Sequence, residues 1–173
     1  MAKKNLSSVD TAWLRMEEPN NLMMPTGVMV FGAPIELERL RATLEYGLLP
    51  FDRFRQRVRW PWRPGGRPYW EDDPELDLDY HLQRAVLPPP GDQAALQDAV
   101  SLLASTQLDF SRPLWQLHLV ETYGQGSALV CRLHHSLADG VALVHVLLSL
   151  ADAGPDSLTS QEDLERREGQ RVG

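Results

Sequence analysis

Two adjacent histidines, His134 and His135, begin the segment HHSLADG, and Asp139 and Gly140 end it. A neutral imidazole can accept a proton near pH 7, so it is the usual general base in proteins. It needs partial desolvation to stay uncharged, and open space for the group that gives up the proton. Taken singly, a histidine in a strand is usually structural, and Asp-Gly is ordinary at a helix start. The combination indicates proton-transfer chemistry.

The residues before the histidines predict a strand over 127–135 that ends at the pair. Side chains alternate between the two faces of a strand, so His135 ends an apolar stripe and His134 points to the opposite face. Asp139 is expected to cap a helix over 141–151, whose N-terminal backbone donors would lie near the site. The stripe that ends at His135 contains three earlier residues: Leu129, Cys131 and Leu133.

The rest of the chain predicts helices and strands in mixed order. Hydrophobic periodicity favours helices over 7–17, 36–49 and 93–107, and strands over 23–32, 53–60 and 115–123. The last of these strands would form a hairpin with 127–135 through the turn GQG, and PGG at 64–66 would form another. Interleaved elements without strict alternation are typical of an α/β sandwich with a mixed β-sheet flanked by helices.

Local signals predict the details of two helices. Ser7 or Ser8 is expected to cap the first helix, and Asp92 the helix over 93–107. The apolar face of the first helix is expected to consist of Val9, Trp13 and Met16.

Composition excludes several functional classes. The formal net charge of -7 argues against a general nucleic-acid binder. Cys131 is the only cysteine, and His81, His118 and His145 lack metal-ligand spacing, so no metal site is expected. The chain start has no apolar segment of the kind found in signal peptides, and no run approaches the roughly 18 apolar residues of a membrane span. A reducing, cytoplasmic setting is expected.

Two further surface features leave alternatives open. Alternating arginines from Arg53 to Arg67 could bind the phosphates of a nucleotide or an anionic lipid, or could pair with the acidic stretch at 71–79, which we favour. Nearby aromatic residues could contact a membrane interface or form a small hydrophobic cluster. These are Trp60, Trp62, Tyr69 and Trp70.

Three segments together resemble one enzyme family. HHSLADG is similar to HHxxxDG, the signature of acyltransferases built like chloramphenicol acetyltransferase. SRPLW at 111–115 resembles the PLW motif of bacterial wax ester synthase/diacylglycerol acyltransferases, and LSSVDTAWLRME resembles their opening helix. The resemblance covers about residues 5–152 and implies a chloramphenicol-acetyltransferase-like sandwich. It also implies fatty acyl transfer from acyl-CoA to a long-chain alcohol or diacylglycerol, without a cofactor, a metal or a covalent acyl-enzyme.

The resemblance also implies roles for individual residues. His135, in the catalytic pair with His134, would be the general base. Asp139 would hold the loop by pairing with an arginine, which the sequence does not identify, and Gly140 would keep the channel mouth clear. Three residues would shape packing and a wall near the site: Pro113, Leu114 and Trp115.

The resemblance implies a two-part organisation, because members of the family have two similar halves with the active site between them. Residues 1–152 would form an N-terminal half-domain, and 153–173 a polar linker or tail leading to a C-terminal half. Expected partners are acyl-CoA, a long-chain alcohol or diacylglycerol, the C-terminal half, and peripherally a membrane or lipid-droplet surface. Two alternatives remain: a polyketide-associated or condensation-type acyltransferase using carrier-bound substrates, or a non-catalytic lipid-binding half. The PLW segment and opening helix argue against the first, and the intact HHSLADG against the second.

Overall fold

The computed structural model describes residues 4–63 and 65–137. Asp139, Gly140, the helix predicted over 141–151 and the polar segment 153–173 lie outside the described residues. The roles of these residues, the helix and the domain boundary near residue 152 therefore stay predictions. The described strands are β1 (Lys4–Asn5), β2 (Thr26–Phe31), β3 (Gln56–Arg59), β4 (Tyr69–Asp72), β5 (Leu82–Arg84), β6 (Trp115–Tyr123) and β7 (Gly126–Leu133). The described helices are α1 (Ser8–Met16), α2 (Leu37–Gly47), α3 (Leu78–His81) and α4 (Gln93–Ala104).

A four-stranded mixed sheet carries the histidine segment. Its strand order is β2-β7-β6-β5, with β5 parallel to β6 and the other pairs antiparallel. The predicted hairpin between β6 and β7 is confirmed, and its turn needs a glycine because Gly124 has a φ of 59°. This sheet and its helices confirm the α/β fold class.

A separate antiparallel sheet has the order β1-β4-β3. The hairpin predicted around PGG is confirmed, since β3 and β4 pair with Val58 opposite Trp70. The strand predicted over 53–60 is shorter than expected. Residues Asp52–Phe54 form a 3₁₀ turn instead, which buries the Phe54 side chain.

Both faces of β6 and β7 are buried, so the apolar core lies on two sides of the central strands. The larger cluster includes Leu117, Leu129 and Cys131, and burial raises the pKa of the Cys131 thiol to about 12. On the opposite face, Val130 packs with Leu96 of α4. Strand β7, which leads to the histidines, is therefore buried along its whole length.

The predicted helix caps are confirmed, whereas the predicted apolar face of α1 is not. The Ser7 side chain accepts a hydrogen bond from the Asp10 amide over 3.0 Å, and Asp92 caps α4 as predicted. The predicted core face of α1 is wrong, because Val9 and Met16 are 65% and 51% exposed. The helix lies at the edge of the core and buries the following two side chains: Thr11 and Leu14.

None of the helices in the described residues is long and apolar enough to cross a membrane.

Candidate active site

Backbone hydrogen bonds fix both histidines just beyond the end of β7. The His134 amide donates to the Leu114 carbonyl over 3.0 Å, and the His135 amide donates to the Met23 carbonyl over 2.9 Å. Successive amides thus bind opposite neighbours, although β7 itself ends at Leu133 and not at the pair as predicted. Leu114 belongs to the PLW segment, so that segment is bound directly to the histidine pair.

The His134 ring is buried, with 2% of the residue exposed. The Ser136 amide donates to its Nδ1 over 3.0 Å, and the Ser136 hydroxyl lies 2.8 Å from the same nitrogen. Phe110 packs edge-on against the ring at 5.7 Å. Burial, followed by the neighbouring His135, lowers the pKa of His134 to about 4. The ring is therefore neutral at pH 7, and the hydrogen bond to Nδ1 places its proton on Nε2.

The His135 ring is half-buried and stacks on the indole of Trp13, with ring centres 4.6 Å apart and planes inclined by 21°. A stacked contact covers a ring face and leaves the edge, which carries both nitrogens, free of the indole. The sequence placed the desolvated ring at His135, yet His134 is the more deeply buried of the two. Of the pair, His135 is accordingly the more exposed residue.

The PLW segment forms core next to the site. Its side chains are all buried: Pro113, Leu114 and Trp115. The Trp115 indole donates to the Phe54 carbonyl over 2.9 Å, and its ring stacks on His81 at 4.3 Å. These contacts agree with the packing role, while a role as pocket wall stays a prediction.

Sequence reasoning missed two residues that contact the pair. Trp13 is predicted only for the apolar face of the first helix, yet it stacks on His135. Glu17 has no predicted role, yet the Oε2 atom of Glu17 lies 3.6 Å from Nε2 of His134. A local signal existed, because residues four apart lie on one side of a helix. The contact itself joins residues more than a hundred positions apart, which periodicity does not encode.

The arginines of β3 form ion pairs with the acidic stretch at 71–79, which is the alternative that we favour from the sequence. Arg57 contacts Glu71 at 2.9 Å and Asp73 at 3.5 Å, and Arg59 contacts Glu71 at 3.2 Å. The nearby aromatic residues, for which a membrane contact or a small hydrophobic cluster is predicted, differ in their exposure. Trp70 lies in the core, whereas Trp62 is 88% exposed.

Two arginines close to the histidine segment in sequence, Arg112 and Arg132, contact other groups. Arg132 donates to the Gln116 side chain over 2.7 Å and to the Thr106 carbonyl, and Arg112 lies over the Tyr80 ring. The pairing with Asp139 stays a prediction, since that residue is not described. In residues 4–63 and 65–137, no group of three His, Cys, Asp or Glu side chains could hold a metal ion.

Stability should fall on mild acidification because three buried histidines must stay neutral, since burial also lowers the pKa of His81. Burial lowers the pKa of His118 to about 4, with Arg132 contributing, and that of His134 to about 4. Between pH 6.5 and 4 the unfolded chain binds protons that the folded chain does not. The free energy of unfolding is therefore highest above about pH 6.5. Below that pH, each ring lowers it by up to about 1.4 kcal/mol per pH unit.

Urea unfolding at pH 7.0, 6.0 and 5.0 measures this loss. A His118→Gln variant removes one of the three titrating rings and should lower the slope, while His81 and His134 keep the remainder. A free energy of unfolding that stays level over this range would contradict the buried, neutral state of these rings.

Comparison with known sequences identifies the family. The family model described as the wax ester synthase/diacylglycerol acyltransferase catalytic domain matches residues 6–172. The chain belongs to this family. The sequence resemblance is thereby confirmed, and it extends beyond the three motifs to nearly the whole chain.

Similar proteins agree with membership in the wax ester synthase/diacylglycerol acyltransferase family. The probable diacylglycerol O-acyltransferase tgs1 of Mycobacterium tuberculosis is 33% identical over 152 residues, which are 86% of this chain and 33% of that protein. For tgs3 of the same species, the identity is 32% over 85% of this chain and 56% of that protein. This chain therefore spans between a third and just over half of the length of these two relatives.

Solved structures confirm the fold. The wax ester synthase/diacylglycerol acyltransferase of Marinobacter aquaeolei has a TM-score of 0.68 at 28% identity, over 82% of this chain and 37% of that one. A starter condensation domain of rhizomide synthetase has a TM-score of 0.70 at 18% identity, covering 87% and 38%. The second similarity extends to the fold alone.

Proposed function

We propose that the chain supplies the catalytic histidine of an acyl-CoA-dependent O-acyltransferase that forms wax esters or triacylglycerols. The proposal depends on one observation: of the two adjacent histidines, His134 is buried and His135 is partly exposed, just beyond the end of β7. Membership in the wax ester synthase/diacylglycerol acyltransferase family supports the type of reaction.

In the proposed reaction, a ring nitrogen of His135 removes the proton from the hydroxyl of a long-chain alcohol or diacylglycerol. The oxygen attacks the thioester carbonyl of the fatty acyl-CoA, an ester C–O bond forms and the C–S bond breaks. The CoA thiolate leaves and takes the proton from the imidazolium, which restores the neutral base. No group of the protein becomes acylated in this sequence.

The other residues of the site would hold this base in place. Trp13 covers one face of the His135 ring, and the Met23 carbonyl fixes its backbone. Asp139 and Gly140, in the following loop, are proposed to order that loop and keep the approach open. The buried PLW segment would hold the pair through the Leu114 carbonyl, which accepts the His134 amide. This segment consists of Pro113, Leu114 and Trp115.

We further propose that the active site is completed by a second half of the kind that longer relatives contain. The long-chain substrates dissolve in lipid, so the assembled enzyme is expected to work at the surface of a membrane or lipid inclusion. Exposed Trp62 is a candidate for such contact.

An alcohol-dependent thiol assay tests the proposed function. With its second half, the chain should release free CoA thiol from palmitoyl-CoA when hexadecanol or a diacylglycerol is added, and form ester in equal amount. Palmitoyl-CoA without alcohol is the control and should release almost none. Activity with a carrier-protein acyl donor only, or thiol release without ester, would contradict the proposal.

A further inference from the structure

The carboxylate of Glu17 lies buried beside the histidine pair, with 4% of its side chain exposed. Its Oε2 is 3.6 Å from Nε2 of His134, which is the ring nitrogen that carries the proton. The Met23 amide donates a hydrogen bond to the same oxygen, and the Gln107 side chain donates to Oε1 over 3.4 Å. Nε2 has no hydrogen-bond partner among the described residues, and the carboxylate lies just beyond hydrogen-bonding distance of it.

Burying a carboxylate without a cation is unfavourable, because the charge loses its hydration and gains no opposite charge. Over the described ranges, no lysine or arginine forms an ion pair with Glu17. A neutral side chain of the same shape would cost less. Stability alone therefore does not account for an acidic residue at this position.

A single residue connects Glu17 to the second histidine. Met23 donates its amide to the Glu17 carboxylate and accepts the His135 amide at its carbonyl. Trp13, one helical turn before Glu17, stacks on the His135 ring. The C-terminal end of α1 therefore contacts both histidines, one through a carboxylate and the other through an indole.

We propose that Glu17 is a positioning residue for the histidine pair. Its carboxylate orients the His134 ring and, through Met23, sets the backbone that presents His135. The catalytic consequence rests on the proposed acyltransferase function, whereas the effect on ring geometry does not.

The substitution Glu17→Gln tests this role because it removes the charge and keeps the shape. The kcat for palmitoyl-CoA and hexadecanol should fall at least tenfold, with the KM for palmitoyl-CoA unchanged within twofold. The Tm should stay level or rise, since an unpaired buried charge is removed. Glu18→Gln is the matched control, because Glu18 is the exposed neighbour and should leave all three values unchanged.

A second measurement does not depend on activity. In NMR spectra of the chain, the Nε2 proton of His134 should keep its wild-type chemical shift in Glu18→Gln and shift upfield in Glu17→Gln, because the carboxylate 3.6 Å from Nε2 is then replaced by an amide. An unshifted proton, an unchanged kcat or a fall in Tm that parallels the loss of activity would overturn the positioning role. If the wild-type chain together with its second half forms no ester, the proposed function fails, and the spectra still decide on Glu17.

Discussion

Replacing His135 by alanine should lower the turnover of the assembled enzyme by at least about 10²-fold, the usual loss when a general base is removed. The half-exposed ring is placed by the Met23 carbonyl and by stacking on Trp13, so alanine deletes the proton acceptor and leaves the backbone hydrogen bond intact. The KM for palmitoyl-CoA should change little, since the ring acts on the alcohol. Release of CoA thiol at saturating palmitoyl-CoA and hexadecanol measures the effect.

The control for this variant is His118→Gln, which removes another imidazole from the same sheet. His118 lies opposite Val130, in the middle of the β6/β7 hairpin, and should matter little for turnover at pH 7.5. Both variants should show a cooperative unfolding transition, which separates loss of chemistry from loss of fold. Comparable turnover in His135→Ala and wild-type protein would remove His135 from the mechanism.

Replacing Trp115 by alanine should lower the free energy of unfolding by about 3–5 kcal/mol, the range for a large aromatic side chain lost from a core. The residue is fully buried, its ring lies between Phe54 and His81, and its indole satisfies the Phe54 carbonyl. Alanine leaves a cavity and a buried carbonyl without a donor. Because a domain of this size has a total stability of about 5–15 kcal/mol, the variant should be near its unfolding threshold.

Urea unfolding monitored by far-UV circular dichroism tests the effect of Trp115. Trp62→Ala is the matched control, because this tryptophan is almost fully exposed and its loss should change the stability by no more than about 0.5 kcal/mol. A loss of less than about 1 kcal/mol in Trp115→Ala would show that the PLW segment is not a packing element of the core.

The parts of the fold that depend on local signals could be predicted from the sequence. Ser7 and Asp92 each accept a hydrogen bond from an amide three residues later, and such caps are readable in the chain. The β6/β7 hairpin follows from two apolar runs around a glycine turn. The mixed sheet follows from the order of the elements, although its strand pairing does not.

The parts that depend on distant contacts could not be predicted. An apolar stripe in α1 indicates a core face only when the core covers the whole helix, and α1 lies at its edge with Val9 exposed. Alternation predicts opposite faces for His134 and His135, but it cannot show which groups enclose the His134 ring, namely Glu17, Phe110 and Ser136. The Glu17 contact depends on how helix α1 meets the end of β7, which is a property of the tertiary structure.

The rate of ester formation by the assembled enzyme tests most directly whether His135 is the proton acceptor. In His135→Ala, kcat/KM for hexadecanol at pH 7.5 should fall at least about 10²-fold, because the group that accepts the hydroxyl proton is absent. If His135→Ala keeps a kcat/KM close to that of the wild type, another group accepts the proton and the account is wrong.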